Sequence, residues 1–125
     1  MKTISIVILL VLAAGIIGLH MLSTSESHYN RFSNYEEAEQ SELISKGWIP
    51  PFIPKSSYNI EERHRVDHPY IYVALNVDPS EITAFERSCS FITTNNYKCD
   101  NSGYPVSVVI SDGNHAVIRS ITNGT

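Results

Sequence analysis

The residues with the densest chemical potential lie in the run Glu61-Glu62-Arg63-His64-Arg65-Val66-Asp67-His68. On a helix His64 and His68 would share a face four residues apart, a spacing zinc can use. The order lacks H-E-x-x-H, the neighbouring arginines repel a dication, and Pro69 would strain the turn carrying the second histidine. The run therefore reads as a solvated charged loop, with no metal and no cofactor expected.

Nucleophilic catalysis has as little support. Ser88 and Ser90 flank Cys89, and His115 follows Asp112, but there is no G-x-S-x-G elbow and no glycine-rich phosphate loop. The expectation is a protein that is not an enzyme. Recognition is what remains. Trp48 is the only tryptophan and there are seven tyrosines, the residue types that dominate interface hot spots.

Trp48 belongs to KGWIPPFIPKS, residues 46–56, which holds three of the six prolines. Pro50, Pro51 and Pro54 forbid further helix and push the preceding residues toward extended geometry, so residues 48–54 are expected as a polyproline-like strap. A strap that is rigid before docking loses little entropy on binding. Trp48, Ile49, Phe52 and Ile53 are thus binding candidates. The plainer alternative is that Trp48 is the main aromatic of the core.

The elements around the strap follow from periodicity and end signals. Ser33 and Glu36 form a capping box for a helix that Lys46 and Gly47 close. Residues 56–69 read as a polar loop. Residues 70–77, YIYVALNV, form the first strand, and Asp78-Pro79-Ser80-Glu81 opens a second helix with an aspartate cap and proline at its first position. Ile82, Phe85 and Cys89 lie on the apolar face of that helix. Residues 91–103 are rich in turn formers. Two strands, 104–110 and 115–121, flank Ser111-Asp112-Gly113-Asn114, a strong hairpin signal. The architecture expected is α+β: an antiparallel sheet of about three strands covered by two helices.

Ahead of this domain, residues 4–19 read ISIVILLVLAAGIIGL after a start that carries Lys2. A helix of that length spans about 24 Å, near the hydrocarbon thickness of a bilayer. It is longer than a usual signal-peptide core, and no small-x-small site precedes Ser23. Residues 1–22 are expected as a signal anchor, with a cleaved signal peptide and secretion as the alternative. Residues 23–30 then form a polar tether and 31–123 the head domain. Lys2 on the inner side places the head across the cytoplasmic membrane, in the periplasm.

Without Lys2 there remain 8 basic and 13 acidic residues. No basic run follows a phosphate backbone, so nucleic acid is not an expected partner. The two cysteines, Cys89 and Cys99, lie in the exported part and suggest a disulfide. Oligomeric state leaves no mark in the sequence.

The motifs Phe32-Ser33-x-Tyr35-Glu36-Glu37-Ala38, Gly47-Trp48-Ile49-Pro50-x-x-Ile53-Pro54-x-Ser56, and Ile60 with Asp67 ahead of an aromatic strand resemble the YbbD-type head domain of small exported bacterial proteins. The resemblance covers residues 31–78, with His68-Pro69 as a departure after Asp67. It implies placement outside the cytoplasm more than an activity, and it carries over no catalytic residue. Two functions are expected from these readings. The first is a membrane-tethered domain that contacts an envelope protein through its strap. The second, suggested by analogy with relatives near toxin-delivery genes, is an immunity or inhibitor protein using Glu61, Glu62 and Asp67 against an enzyme.

Overall fold

The computed structural model describes residues 2–25, 27–68 and 70–121. It replaces the expected three strands under two helices with one seven-stranded, wholly antiparallel sheet. In chain order the elements are α1 (Lys2–Ser25), β1 (Ser27–Asn34), α2 (Tyr35–Gln40), β2 (Tyr58–Arg65) and β3 (Tyr70–Asn76). A 3-10 turn (Pro79–Glu81) leads to α3 (Thr83–Ser88), β4 (Cys89–Thr93), β5 (Asn96–Asn101), β6 (Tyr104–Ser111) and β7 (His115–Ser120). The spatial order is β1-β2-β3-β7-β6-β5-β4.

The strands expected from apolar alternation, β3, β6 and β7, form. Asp112 and Gly113 both take positive φ in the β6–β7 turn, which is why Asp-Gly suits it. The additional strands lack that alternation. Strand β2 does alternate buried and exposed residues, but its buried positions are Ile60, Glu62 and His64, so a polar strand was read as a loop. Strand β1 pairs along all of β2 from Ser27↔Arg65 to Asn34↔Tyr58. It takes up residues read as tether and as the start of a helix. Ser23–Ser25 continue α1, so only residue 26 separates α1 from β1.

The first soluble helix is shorter and starts one residue later than expected. Asn34 caps it, accepting from the Glu37 amide at 2.9 Å, and the Glu37 carboxylate accepts from the Ser33 amide at 2.7 Å. The helix stops at Gln40, and Glu42 takes a positive φ of 67°. The strap is also not an extended polyproline run. It folds into two turns, closed by Ile53 N–H to the Pro50 carbonyl and Ser57 N–H to the Pro54 carbonyl. The Ser57 hydroxyl donates to the same Pro54 carbonyl.

Residues 91–103, expected as turns, supply β5 and part of β4. Cys89 and Cys99 stand directly opposite each other on these two strands and are bonded. The Asp78 carboxylate accepts from the Ser80 amide and hydroxyl, which lowers its pKa below the usual carboxylate range. Because its folded pKa is depressed, that cap contributes stability above the unfolded value and loses it as pH falls through the folded one.

The core lies on one face of the sheet. Val73 and Leu75 of β3, Ala116 and Ile118 of β7 and Val106 and Val108 of β6 meet Ile49 and Ile53 of the strap, Ala38 of α2 and Phe85 of α3. Ile49 and Phe85 are wholly buried. The Ile49→Ala variant is expected to lose about 2–5 kcal/mol in urea unfolding, whereas Pro51→Ala, at an exposed strap position, should stay within about 0.5 kcal/mol of the parent. Replacing Cys89 and Cys99 together by alanine should cost about 2–3 kcal/mol, the loop entropy of a short crosslink. A smaller loss, measured the same way, would mean that the β4–β5 pairing holds this loop without the bond.

Candidate functional site

Gly47, at φ 83°, turns the chain after residues 41–46, and the Trp48 and Ile49 amides then both donate to the Leu43 carbonyl. This reversal sends Ile49 into the core and lays the half-buried Trp48 over the end of β2. Its indole stacks on His64 at 4.1 Å between centroids, and His64 stacks in turn on His28 at 4.8 Å. His28 and His64 are direct cross-strand partners.

Beneath the stack sits a buried carboxylate. Glu62 is 0% exposed. One of its oxygens lies 2.5 Å from His64 Nδ1, and the other accepts from Asn30 Nδ2 at 2.8 Å. A carboxylate can remain buried only when its lone pairs are met. Here Asn30, directly opposite on β1, and His64, two residues along β2, meet them. The pair fixes the His64 ring and so the surface on which Trp48 rests.

On its other flank Trp48 borders a cavity of about 180 Å³. The strap contributes Lys46 and Trp48, β3 contributes Ile71, and the β5–β6 end contributes Asn101, Tyr104 and Val106. Asn101 is 3% exposed. Its Nδ2 donates to the Gly47 carbonyl at 3.0 Å, but its Oδ1 is buried without a partner. Buried acceptors are rarely left unmet. The cavity thus offers mainly apolar walls with Trp48 and Tyr104 at its sides, a setting suited to an aromatic or aliphatic side chain.

Of the binding candidates read from sequence, only Trp48 lines this cavity. Ile49 and Ile53 are core residues, and Phe52 packs edge-on against Phe85 at 6.3 Å. The acidic candidates do not converge. Glu62 is buried, whereas Glu61 is on the opposite face of the sheet, 3.6 Å from Arg31. Asp67 lies in the β2–β3 turn, where Arg65 donates to both carboxylate oxygens at 2.9 and 2.7 Å and lowers its pKa. His64 is on a strand and His68 in an exposed turn, so the helical face imagined for them does not exist. No group of three metal-binding side chains occurs among the described residues. Asn101 and Tyr104 were missed because they flank a turn, Ser102-Gly103, that gives no hint of what it faces.

The dependence of the stack on Glu62 is testable. Glu62→Ala leaves the buried His64 and the half-buried Asn30 without their shared acceptor and should cost about 3 kcal/mol or more. The emission of Trp48, the only tryptophan, should shift with it. Glu62→Gln keeps an acceptor for Asn30 and should lose less.

Residues 26–76 match the family model of the YbbD head domain. No curated protein and no solved structure matches the chain. The match takes in β1, α2, the strap, β2 and β3, and the remaining four strands complete the sheet through the β3–β7 pairing. The segment that carries Trp48, Glu62 and His64 is therefore the part of the chain that is similar to the YbbD head domain, over residues 26–76.

Proposed function

We propose that the protein is a membrane-anchored recognition domain, without catalytic activity of its own, that holds another envelope protein on the outer side of the cytoplasmic membrane. Helix α1 is long and apolar enough to cross a bilayer, with a mean hydropathy of 2.4 over Lys2–Leu19. The single observation that carries the recognition reading is the cavity beside Trp48, with the unmet Oδ1 of Asn101 buried at its wall. A partner side chain seated in the cavity would cover Trp48 and Tyr104 and pack against Asn101. Recesses lined by tryptophan and tyrosine are where interface energy concentrates once a partner covers them.

The cavity lies where the head domain meets the rest of the chain. Lys46, Trp48 and Ile71 come from the matched segment, while Asn101, Tyr104 and Val106 come from β5 and β6. Partner choice would then depend on both parts. The inhibitor reading required Glu61, Glu62 and Asp67 to meet a partner together. One is buried and the other two are each engaged by an arginine, so the cavity is the better supported surface.

A photocrosslinking residue at position 104 in the full-length, membrane-embedded protein should capture one stoichiometric partner. The same residue at position 58, at the opposite end of β2, should not. Asn101→Ala in the crosslinking protein should weaken capture about tenfold or more while thermal unfolding stays cooperative. Equal capture from both positions, or capture indifferent to Asn101→Ala, would rule out the cavity as the binding site.

A further inference from the structure

The face of the sheet turned away from the strap is covered by no described element, and its cross-strand register builds one continuous row. Tyr29 stands opposite Arg63, Arg63 opposite Tyr72, Tyr72 opposite Arg119, Arg119 opposite Ser107 and Ser107 opposite Lys98. The guanidinium of Arg63 lies 5.0 Å from the Tyr29 ring centre and 5.7 Å from that of Tyr72, and Arg119 lies 5.4 Å from Tyr72. Arg63, Lys98 and Arg119 are all exposed. The row contains no acid, in a chain whose net charge is −4.

The position of the row along the chain supplies a second constraint. Ser25 ends α1 and Tyr29 is already in the row. Four residues span at most about 14 Å even when fully extended. Residues 20–25 add about 9 Å of helix beyond the apolar window, so the row begins at most about 23 Å along the chain from its end, within reach of the headgroup layer. At the same end an open cleft of about 450 Å³ is lined by Tyr29, Arg63, Arg65 and Tyr70. Arginine and tyrosine suit this depth, since the guanidinium meets phosphate oxygens with paired hydrogen bonds and the phenol ring sits at the water–lipid boundary.

We infer that this row is a lipid-facing surface, which lays the outer face of the sheet on the anionic phospholipids of the membrane holding α1. The inference rests on the anchor reading above and adds an orientation to it. With the outer face against lipid, the strap and the cavity beside Trp48 point away from the bilayer, toward a partner. The Tyr–Arg stacking holds the guanidinium groups in place before contact, so less side-chain freedom is lost when phosphate binds.

The test uses the full chain, with Ser107→Cys labelled by a donor dye while the Cys89–Cys99 bond stays oxidised. The protein is reconstituted in vesicles of phosphatidylcholine, or of phosphatidylcholine with phosphatidylglycerol at about 7:3, each containing a headgroup acceptor dye. Energy transfer from position 107 should be at least about twofold higher in the anionic vesicles and should fall to the neutral-lipid level in 0.5 M NaCl. The triple variant R63Q/K98Q/R119Q should show the neutral-lipid value in both. R63K/R119K should keep much of the gain, and K46Q/K55Q, on the strap side, all of it. Trp48 emission reports whether each variant is folded. A chain that floats with both vesicle types but gives equal transfer overturns the lipid-facing row and leaves the anchor intact. A chain that fails to float with either overturns the anchor reading and the row with it.

Discussion

The buried carboxylate of Glu62 is the constraint on which the β1–β2 half of the sheet depends. A charge with no water around it must find its partners in the fold. Asn30 supplies one from β1 and His64 the other from β2. These contacts tie the edge strand to its neighbour and hold the His64 ring flat, where His28 and Trp48 stack on its two sides. Trp48 in turn fixes how the strap leaves its first turn, and with it one wall of the cavity that Asn101 closes from the far side of the chain. Polar pairing and apolar packing are therefore not separate layers here. The carboxylate sets the geometry of the aromatic stack.

The two faces of the sheet differ in kind. The inner face packs Val73, Leu75, Val108 and Ile118 against the strap and the two short helices. One row across the outer face alternates tyrosine with arginine from β1 to β7 and leaves both exposed or half-exposed, and Glu61 beside it is held by Tyr29 and Arg31. An antiparallel sheet can keep one face solvated, but a solvated face does not require cations aligned in one row. The close connection between α1 and β1 gives that row a position as well as a charge. The two faces thus differ in chemistry, one apolar and covered, the other crossed by an exposed row of cations and tyrosines.

The parts of the fold legible in the sequence were those whose signal is local. Asp112-Gly113 fixed a hairpin because the turn needs positive φ at both positions. Asp78 and Pro79 started a helical segment because their geometry acts within one turn. The apolar run of α1, the β-rich stretch of β3 and the Cys89–Cys99 pairing were legible for the same reason, as was the likeness of residues 26–76 to the YbbD head domain. The cap read as Ser33 falls instead on Asn34, because residues 27–34 pair with β2 up to that position.

Tertiary structure alone decided that SHYNRFSN and YNIEERHR are strands. Their side chains show no apolar alternation, and what makes them strands is backbone pairing with each other and with β3, plus mutual satisfaction of Asn30, Glu62 and His64. It also decided that Glu62 is inside and Arg63 outside, since adjacent residues in a strand point to opposite faces. The outer row could not be read at all from sequence order, because Tyr29, Arg63, Tyr72, Arg119, Ser107 and Lys98 become neighbours only through strand register. By itself the sequence determined a membrane-length helix, a disulfide-bonded domain after it and a tryptophan beside a proline-rich turn. Which residues join the outer row and which line a cavity follows from long-range pairing, a property no local signal encodes.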